Sequence, residues 1–342
     1  MRYQALYMTA PFHLEIRDEH CSGPGPHELL VKALKSAISA GTELLLYRGQ
    51  MPEGFPADET IPGLSGRFSY PMKYGYATVG EVLAAGSQVA GQWEGKRVFA
   101  FQPHQSCFIA TPNDLIPLPD IISENQALFL ANAETAVTLV MDGSPVIGER
   151  VAIFGQGVVG LLTTAVLAQF PLADLIAVDT YPLRREMSRA LGATQSLDPT
   201  ELRMLNAEEF YLDQKNRPAG FDLSYELSGS PEALDQAIAA TGFSGRVIVG
   251  SWYGTKPVTV RLDTHFHRHR IQLISSQVST IAPLFQGRWT KRRRLDTAIQ
   301  RLTQIQPERL ITHRFPFSQA PEAYQLLDAY PENTVQVVLV YE

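Results

Sequence analysis

The chain has 342 residues, 45% of them hydrophobic, enough to bury a large core and to divide into two domains. Its 35 acidic and 29 basic residues leave a net charge of −6, which removes the electrostatic reason to expect nucleic acid or an anionic membrane as partner and points to a small molecule. Two cysteines, Cys21 and Cys107, with no CxxC spacing, exclude a disulfide framework and a multi-cysteine zinc lobe and fit a reducing cytoplasm.

The opening stretch, MRYQALYMTAPFHLEIRDEH, has no apolar core followed by a small-residue cleavage site, so export is not expected. No later segment offers about 18 uninterrupted apolar residues, so a membrane span is not expected either. Residues 1–122 carry short apolar runs punctuated by Gly and Pro, among them ELLVKALKSAIS, TVGEVLAAG, GKRVFAF and SCFIA. Closely spaced short strands of this kind predict an antiparallel, partly barrel-like domain. Residues 48–70 form a long Pro/Gly-rich loop, and loops of that length are often functional.

From about Glu149 strand and helix alternate: RVAIF, a helix from Val158, LIAVD, a helix after Pro182, FDLSYEL, a helix from Pro231, GRVIVGS and IQLISS. Val-, Ile- and Leu-rich runs without polar alternation predict parallel strands buried on both faces, the doubly wound arrangement. The chain is therefore expected to be α/β, with a β-rich domain at 1–122, a dinucleotide-binding domain at 123–288, and a segment 289–342 that returns to the first domain through a strand, a helix near Ser318 and a closing strand. Trp289 is expected to mark that return.

RVAIFGQGVVGLL places Gly155, Gly157 and Gly160 in G-x-G-x-x-G order between a predicted strand and a predicted helix. The first glycine permits the tight turn, the second admits a pyrophosphate, and the third lets helix and strand pack closely. Free N–H groups at the helix start, where Val158 and Val159 follow, bind the phosphates. Asp179 ends the next strand about 20 residues on, where a carboxylate accepts hydrogen bonds from an adenosine ribose and repels a 2′-phosphate. NAD(H) is thus preferred, with NADP(H) left open by Arg184 and Arg185 just beyond. The loops after later strands, ELSGS, GSWYG and SSQVS, occupy positions where ligands of parallel sheets bind.

The glycine fingerprint behind a β-rich domain, SAGTEL at 39–44, GYATVGEV at 75–82, GKRVF at 95–99 and ITHRFPFSQAPEAYQLLD at 311–328 together resemble the medium-chain dehydrogenase/reductase superfamily over nearly the whole chain. The look is nearest to the branch that contains bacteriochlorophyllide hydroxyethyl dehydrogenase. The resemblance implies a GroES-like catalytic domain beside a Rossmann domain, with the active site in the cleft between them. It also implies homodimers or homotetramers through Rossmann edge strands, for which RVIVGS and IQLISS are the candidates, and it brings Ser228, Ser251 and Gln277 near the ribose or nicotinamide.

Zinc-dependent members carry ligands before the GT pair, after the glycine of the second motif, and before the Rossmann strand. This chain has Ala40, then Tyr76 and Ala77, then Asn132 at those places, a set that does not make the three protein ligands of a catalytic zinc. A zinc-free member must polarise its substrate by hydrogen bonding, and Tyr76 offers a phenolic donor, with Thr42, Glu43 and His104 as helpers. Thr42 matches the proton-relay hydroxyl of alcohol dehydrogenases and is equally an ordinary N-cap. His104 is either a proton carrier or a surface histidine.

Three functions follow as expectations: alcohol–carbonyl interconversion with NAD(H), NADPH-dependent reduction of an activated carbon–carbon double bond, and a non-catalytic nucleotide-binding redox sensor. Phe68, Tyr70, Tyr74 and Trp252 suggest a ring-binding pocket, with Tyr253 beside Trp252 as a flat wall. THFHRHR at 264–270 is expected to be a surface connection, and KRRR at 291–294 a solvated helix face or an anion contact.

Overall fold

The computed structural model describes residues 1–57, 64, 66–202 and 220–342; part of the loop at 48–70 lies outside them. The chain forms two compact units, Met1–Ala131 with Gln306–Glu342, and Asn132–Ile305. The boundaries thus fall at 131/132 and 305/306, where the sequence reading set 122/123 and 288/289. Helix Lys291–Ile305 stays with the parallel sheet, because its apolar stripe Leu295, Ala298, Leu302 and Ile305 is buried there. Trp289 therefore belongs to the second unit and does not mark the return.

The first unit opens with a hairpin of β1 (Arg2–Ala10) and β2 (His13–His20). β3 (Leu29–Ile38) is its central strand, pairing antiparallel with β4 (Thr78–Ala85), which pairs onward with β5 (Arg97–Ala100). β6 (Cys107–Ala110) adds to β3, and β7 (Leu115–Pro117) to β5. Leu29, Val31, Val82, Val98, Phe108 and Leu115 project into one core between these strands.

The second unit holds one parallel sheet. Its strands are β8 (Arg150–Phe154), β9 (Asp174–Val178), β10 (Gln195–Leu197), β11 (Phe221–Glu226), β12 (Thr241–Val249) and β13 (Gln272–Ser275). Their order, β10-β9-β8-β11-β12-β13, reverses direction between β8 and β11, the switch point at which doubly wound sheets bind ligands. β8 and β9 are buried on both faces apart from their first residues, as their unbroken apolar runs require. β12 lies between β11 and β13, so of the two expected edge strands only IQLISS is an outer one. The chain then re-enters the first unit as β14 (Ile311–Pro316), helix Ala320–Ala329 and β15 (Gln336–Val340), with β15 antiparallel to β3 through Val337 opposite Ile38.

Among the described residues no helix is long and apolar enough to cross a membrane. Within THFHRHR, Thr264–Arg268 form a short helix capped by Asp263. Phe68 and Tyr74 are buried in the first unit's core, and Phe68 with Tyr70 also lines a cavity of about 250 Å³ there; Trp252 is 46% exposed.

KRRR is not uniformly a solvated face. Arg294 is 2% exposed and donates from Nε and Nη2 to Glu134 Oε1 at 3.1 and 2.9 Å, with Nη1 on the Thr280 carbonyl at 3.0 Å. This pair ties helix Lys291–Ile305 to helix Leu130–Gly143. Removing one partner leaves an uncompensated buried charge, so Glu134→Ala is expected to cost about 3–5 kcal/mol in urea unfolding, while Glu134→Leu combined with Arg294→Met restores most of it.

Candidate functional site

In the first unit the site residues gather where β3 runs into helix Ala40–Tyr47. Ser39 takes the N-cap position, so Thr42, the sequence candidate for that cap, sits instead in the first helical turn. The Tyr76 hydroxyl hydrogen-bonds the Ser39 hydroxyl and reaches Thr42 Oγ1 at 3.4 Å. Tyr76, Thr42 and Ser39 thus form a cluster of three hydroxyls, each partly exposed. Burial raises the pKa of Tyr76, opposed by its bonds to Ser39 and Thr42, so the phenol is protonated at neutral pH.

Glu43 and His104 lie behind this cluster, both 0% exposed. Glu43 Oε1 accepts the Ser39 N–H at 2.8 Å, and its Oε2 accepts His104 Nε2 at 2.9 Å and the Tyr324 hydroxyl. His104 Nδ1 meets Ser36 Oγ at 2.7 Å, and Ser36 Oγ meets the Tyr341 hydroxyl at 2.9 Å. Whichever way the hydroxyls of Tyr341 and Ser36 donate along the chain to Nδ1, Nε2–H is the donor to Glu43. Burial raises the pKa of Tyr324, with Glu43 adding to it, and burial likewise raises that of Tyr341, so both phenols remain donors. His104 is therefore not the surface histidine that the sequence allowed. Gly75 follows from this packing: its φ is +123°, and a Cβ there would stand 2.8 Å from His104 Cδ2.

Of the four residues at the expected ligand places, Ala40 and Ala77 carry no donor atom, Tyr76 carries a phenol and Asn132 an amide. Among the described residues no group of three or more His, Cys, Asp or Glu side chains lies together as a metal site. The residues present do not fit a catalytic zinc of the ordinary kind.

The second unit's cradle opens at the C-terminal ends of β8 and β11. Gly155 has φ +94°, and a Cβ would lie 2.6 Å from Ser228 Cα, so the two loops meet at the switch point through glycine alone. A Cβ on Gly160 would stand 2.0 Å from the Gly155 carbonyl oxygen. Gly157, by contrast, has open space where its Cβ would be, and it caps helix Val158–Leu167 without a side-chain hydrogen bond. An open glycine before a helix start, with Val158 and Val159 in the first turn, fits a dinucleotide pyrophosphate.

Asp179 Oδ2 accepts the Gln156 N–H at 2.7 Å and Oδ1 the Tyr181 N–H at 2.8 Å. The carboxylate thereby stands at the glycine turn. Arg184 stacks 4.8 Å over the Tyr181 ring, and Arg185 donates to the Asp179 and Thr180 carbonyls, both at 2.8 Å. Ser228 donates from its N–H and hydroxyl to Glu226 Oε1, Ser251 Oγ accepts the Gly229 N–H at 2.9 Å, and the Tyr253 hydroxyl donates to Glu226 Oε2 at 2.6 Å. Tyr253 is thus turned onto Glu226, and burial first and that carboxylate second raise its pKa. Gln277 is exposed and bonds Ser279.

Sequence reading missed Ser36, Ser39, Tyr324, Tyr341, Gln156 and Glu226. Ser39 stood inside the quoted SAGTEL motif and Glu226 inside ELSGS, where a carboxylate at a strand end was a usable signal. Tyr341, 305 residues from Ser36, had none.

Residues 158–295 match the zinc-binding dehydrogenase family. Over 97% of its length the chain is 26% identical to 2-desacetyl-2-hydroxyethyl bacteriochlorophyllide A dehydrogenase of Cereibacter sphaeroides, covering 96% of that protein. Its fold matches that of an Escherichia coli CFT073 protein described as a short chain alcohol dehydrogenase and solved with NADH, at TM-score 0.79, 18% identity and 99% coverage of both chains. It also matches a Sinorhizobium meliloti protein bound to NADP, at TM-score 0.77, 20% identity and 99% coverage of both. The chain is an NAD(P)-dependent dehydrogenase that resembles, over nearly its whole length, proteins related to the zinc-binding dehydrogenases.

The glycines separate fold from cofactor. Gly157→Ala is expected to leave stability within about 0.5 kcal/mol while weakening NADH binding at least tenfold by calorimetry. Gly160→Ala is expected to destabilise the fold itself by about 1–3 kcal/mol.

Proposed function

We propose that the protein interconverts an alcohol and a carbonyl with NAD(H) and without zinc. The carrying observation is the hydroxyl cluster of Tyr76, Ser39 and Thr42 at a place where the resemblance implies metal ligands, backed by the sealed Glu43–His104 pair. A metal would polarise the substrate oxygen as a Lewis acid; here a hydrogen bond from Tyr76 does so and delivers the proton. The nicotinamide supplies the hydride when bound. Gly155, Gly157 and Gly160 with the first turn at Val158 and Val159 hold the pyrophosphate, and Asp179 takes the adenosine ribose. Ser228, Ser251 and Gln277 belong to loops beside it.

Glu43 and His104 act as positioning residues in this reading, since both are sealed from solvent. Ser39 links them to Tyr76: its N–H is held by Glu43 and its hydroxyl by the phenol. The substrate is a small or cyclic alcohol or its ketone. Arg184 and Arg185 near Asp179 favour a second reading, NADPH-dependent reduction of a carbon–carbon double bond.

Tyr76→Phe is expected to lower kcat by about 10²–10⁴-fold with little change in NADH affinity, measured in the carbonyl-reducing direction. Undiminished turnover would remove Tyr76 from the chemistry. Because burial places the folded pKa above the ordinary value of 10, the proton is held below that pKa and lost above it, so reduction should show no Tyr76-dependent fall below pH 9. Asp179→Ser is expected to relax the preference for NAD, read as the ratio of NADH to NADPH affinities; an unchanged ratio sinks the ribose assignment, and wild-type preference for NADPH brings double-bond reduction to the front. Binding of either cofactor without turnover on any alcohol, ketone or enone would favour the sensor.

A further inference from the structure

The cofactor and hydroxyl sites leave one large cavity of the second unit unused. Its volume is about 500 Å³, within the range that holds a drug-sized molecule, and its walls include Val140, Val166, Phe170, Phe285 and Trp289. These residues come from helices Leu130–Gly143 and Val158–Leu167 and from the segment leading into helix Lys291–Ile305, which adds Arg301. Among the described residues no carboxylate lines it.

The polar side of this cavity is cationic and incomplete. Arg301 Nη1 donates to Gln169 Oε1 at 2.6 Å, which fixes the guanidinium, yet Arg301 Nε is buried with no hydrogen-bond partner. Arg301 is the charged side chain on the cavity wall, and no wall carboxylate neutralises it. Two more guanidiniums cover wall residues, Arg293 at 4.2 Å over the Trp289 ring and Arg288 at 5.6 Å over that of Phe285.

We propose that this cavity binds a small organic carboxylate, its anionic head on Arg301 and its apolar or aromatic body against Phe170, Phe285 and Trp289. Guanidinium favours a carboxylate over a neutral polar head because its N–H donors are charged and planar. The site is independent of the redox reading. Helix Val158–Leu167 lends Val166 to the cavity and, one helix length away, begins at the Gly157 cap, so the ligand grips the far end of the element that opens the cofactor cradle.

The test uses the full chain and two probes of equal length, decanoate and decanol, titrated below micellar concentrations by calorimetry. Decanoate is expected to bind saturably at one site, at least tenfold more tightly than decanol. Arg301→Met should weaken decanoate at least tenfold and leave decanol unchanged, and Val140→Trp should abolish binding of both by filling the cavity. Absence of saturable binding, equal affinity for the two probes, or an Arg301→Met variant with undiminished decanoate affinity overturns the proposal. Where a variant fails to fold, the comparison of the two probes on the wild-type chain still decides.

Discussion

The buried carboxylate of Glu43 is the constraint around which the first unit is arranged. A carboxylate sealed from water is tolerable only when its lone pairs are met, and three donors meet these: the Ser39 N–H, His104 Nε2 and the Tyr324 hydroxyl. Those donors come from the helix start after β3, from the segment between β5 and β6, and from helix Ala320–Ala329. One side chain therefore joins parts of the chain 281 residues apart. Loss of any donor would strand a buried group, which is why the C-terminal segment has to return to this unit for the site to be complete.

The second unit uses carboxylates in a related way, at the ends of strands. Asp179 follows β9 and holds the N–H of Gln156 in the glycine turn; Glu226 ends β11 and gathers Ser228, Gly229 and Tyr253. Both stand at the C-terminal edge of a parallel sheet, where loops otherwise have no ladder to join. A charged acceptor that takes backbone N–H groups shapes the loop around it. The glycine turn is thus held by the protein's own hydrogen bonds, with Asp179 accepting two backbone donors.

Local patterns carried the fold. Unbroken apolar runs such as RVAIF and LIAVD announced strands buried on both faces, and the glycine spacing fixed the turn between β8 and helix Val158–Leu167, because those signals are confined to a few consecutive residues. What the sequence did not disclose depends on distant pairing. Arg294 reads as one of four consecutive basic residues, and nothing local distinguishes it from Arg292, which pairs with Asp296 on the exposed face. Its burial arises from Glu134, 160 residues earlier. His104 likewise had no local mark of burial; its surroundings are Glu43, Ser36 and Gly75, all remote in sequence.

A site that works through a phenol, as proposed for Tyr76, differs from a metal site in what it can do as well as in strength. A bound cation stabilises a developing alkoxide without moving a proton, whereas a tyrosine stabilises it by giving one up. Burial raises the pKa of Tyr76, so the phenol holds its proton at neutral pH and resists serving as a base. That asymmetry suits reduction, in which a proton must be delivered to the product oxygen, better than oxidation, in which one must be removed. The hydroxyls of Ser39 and Thr42 temper it, since both bond the phenol and both lower its pKa. Ser39 is itself anchored by Glu43, whose buried carboxylate holds the Ser39 N–H and by its charge adds to the rise in the Tyr76 pKa.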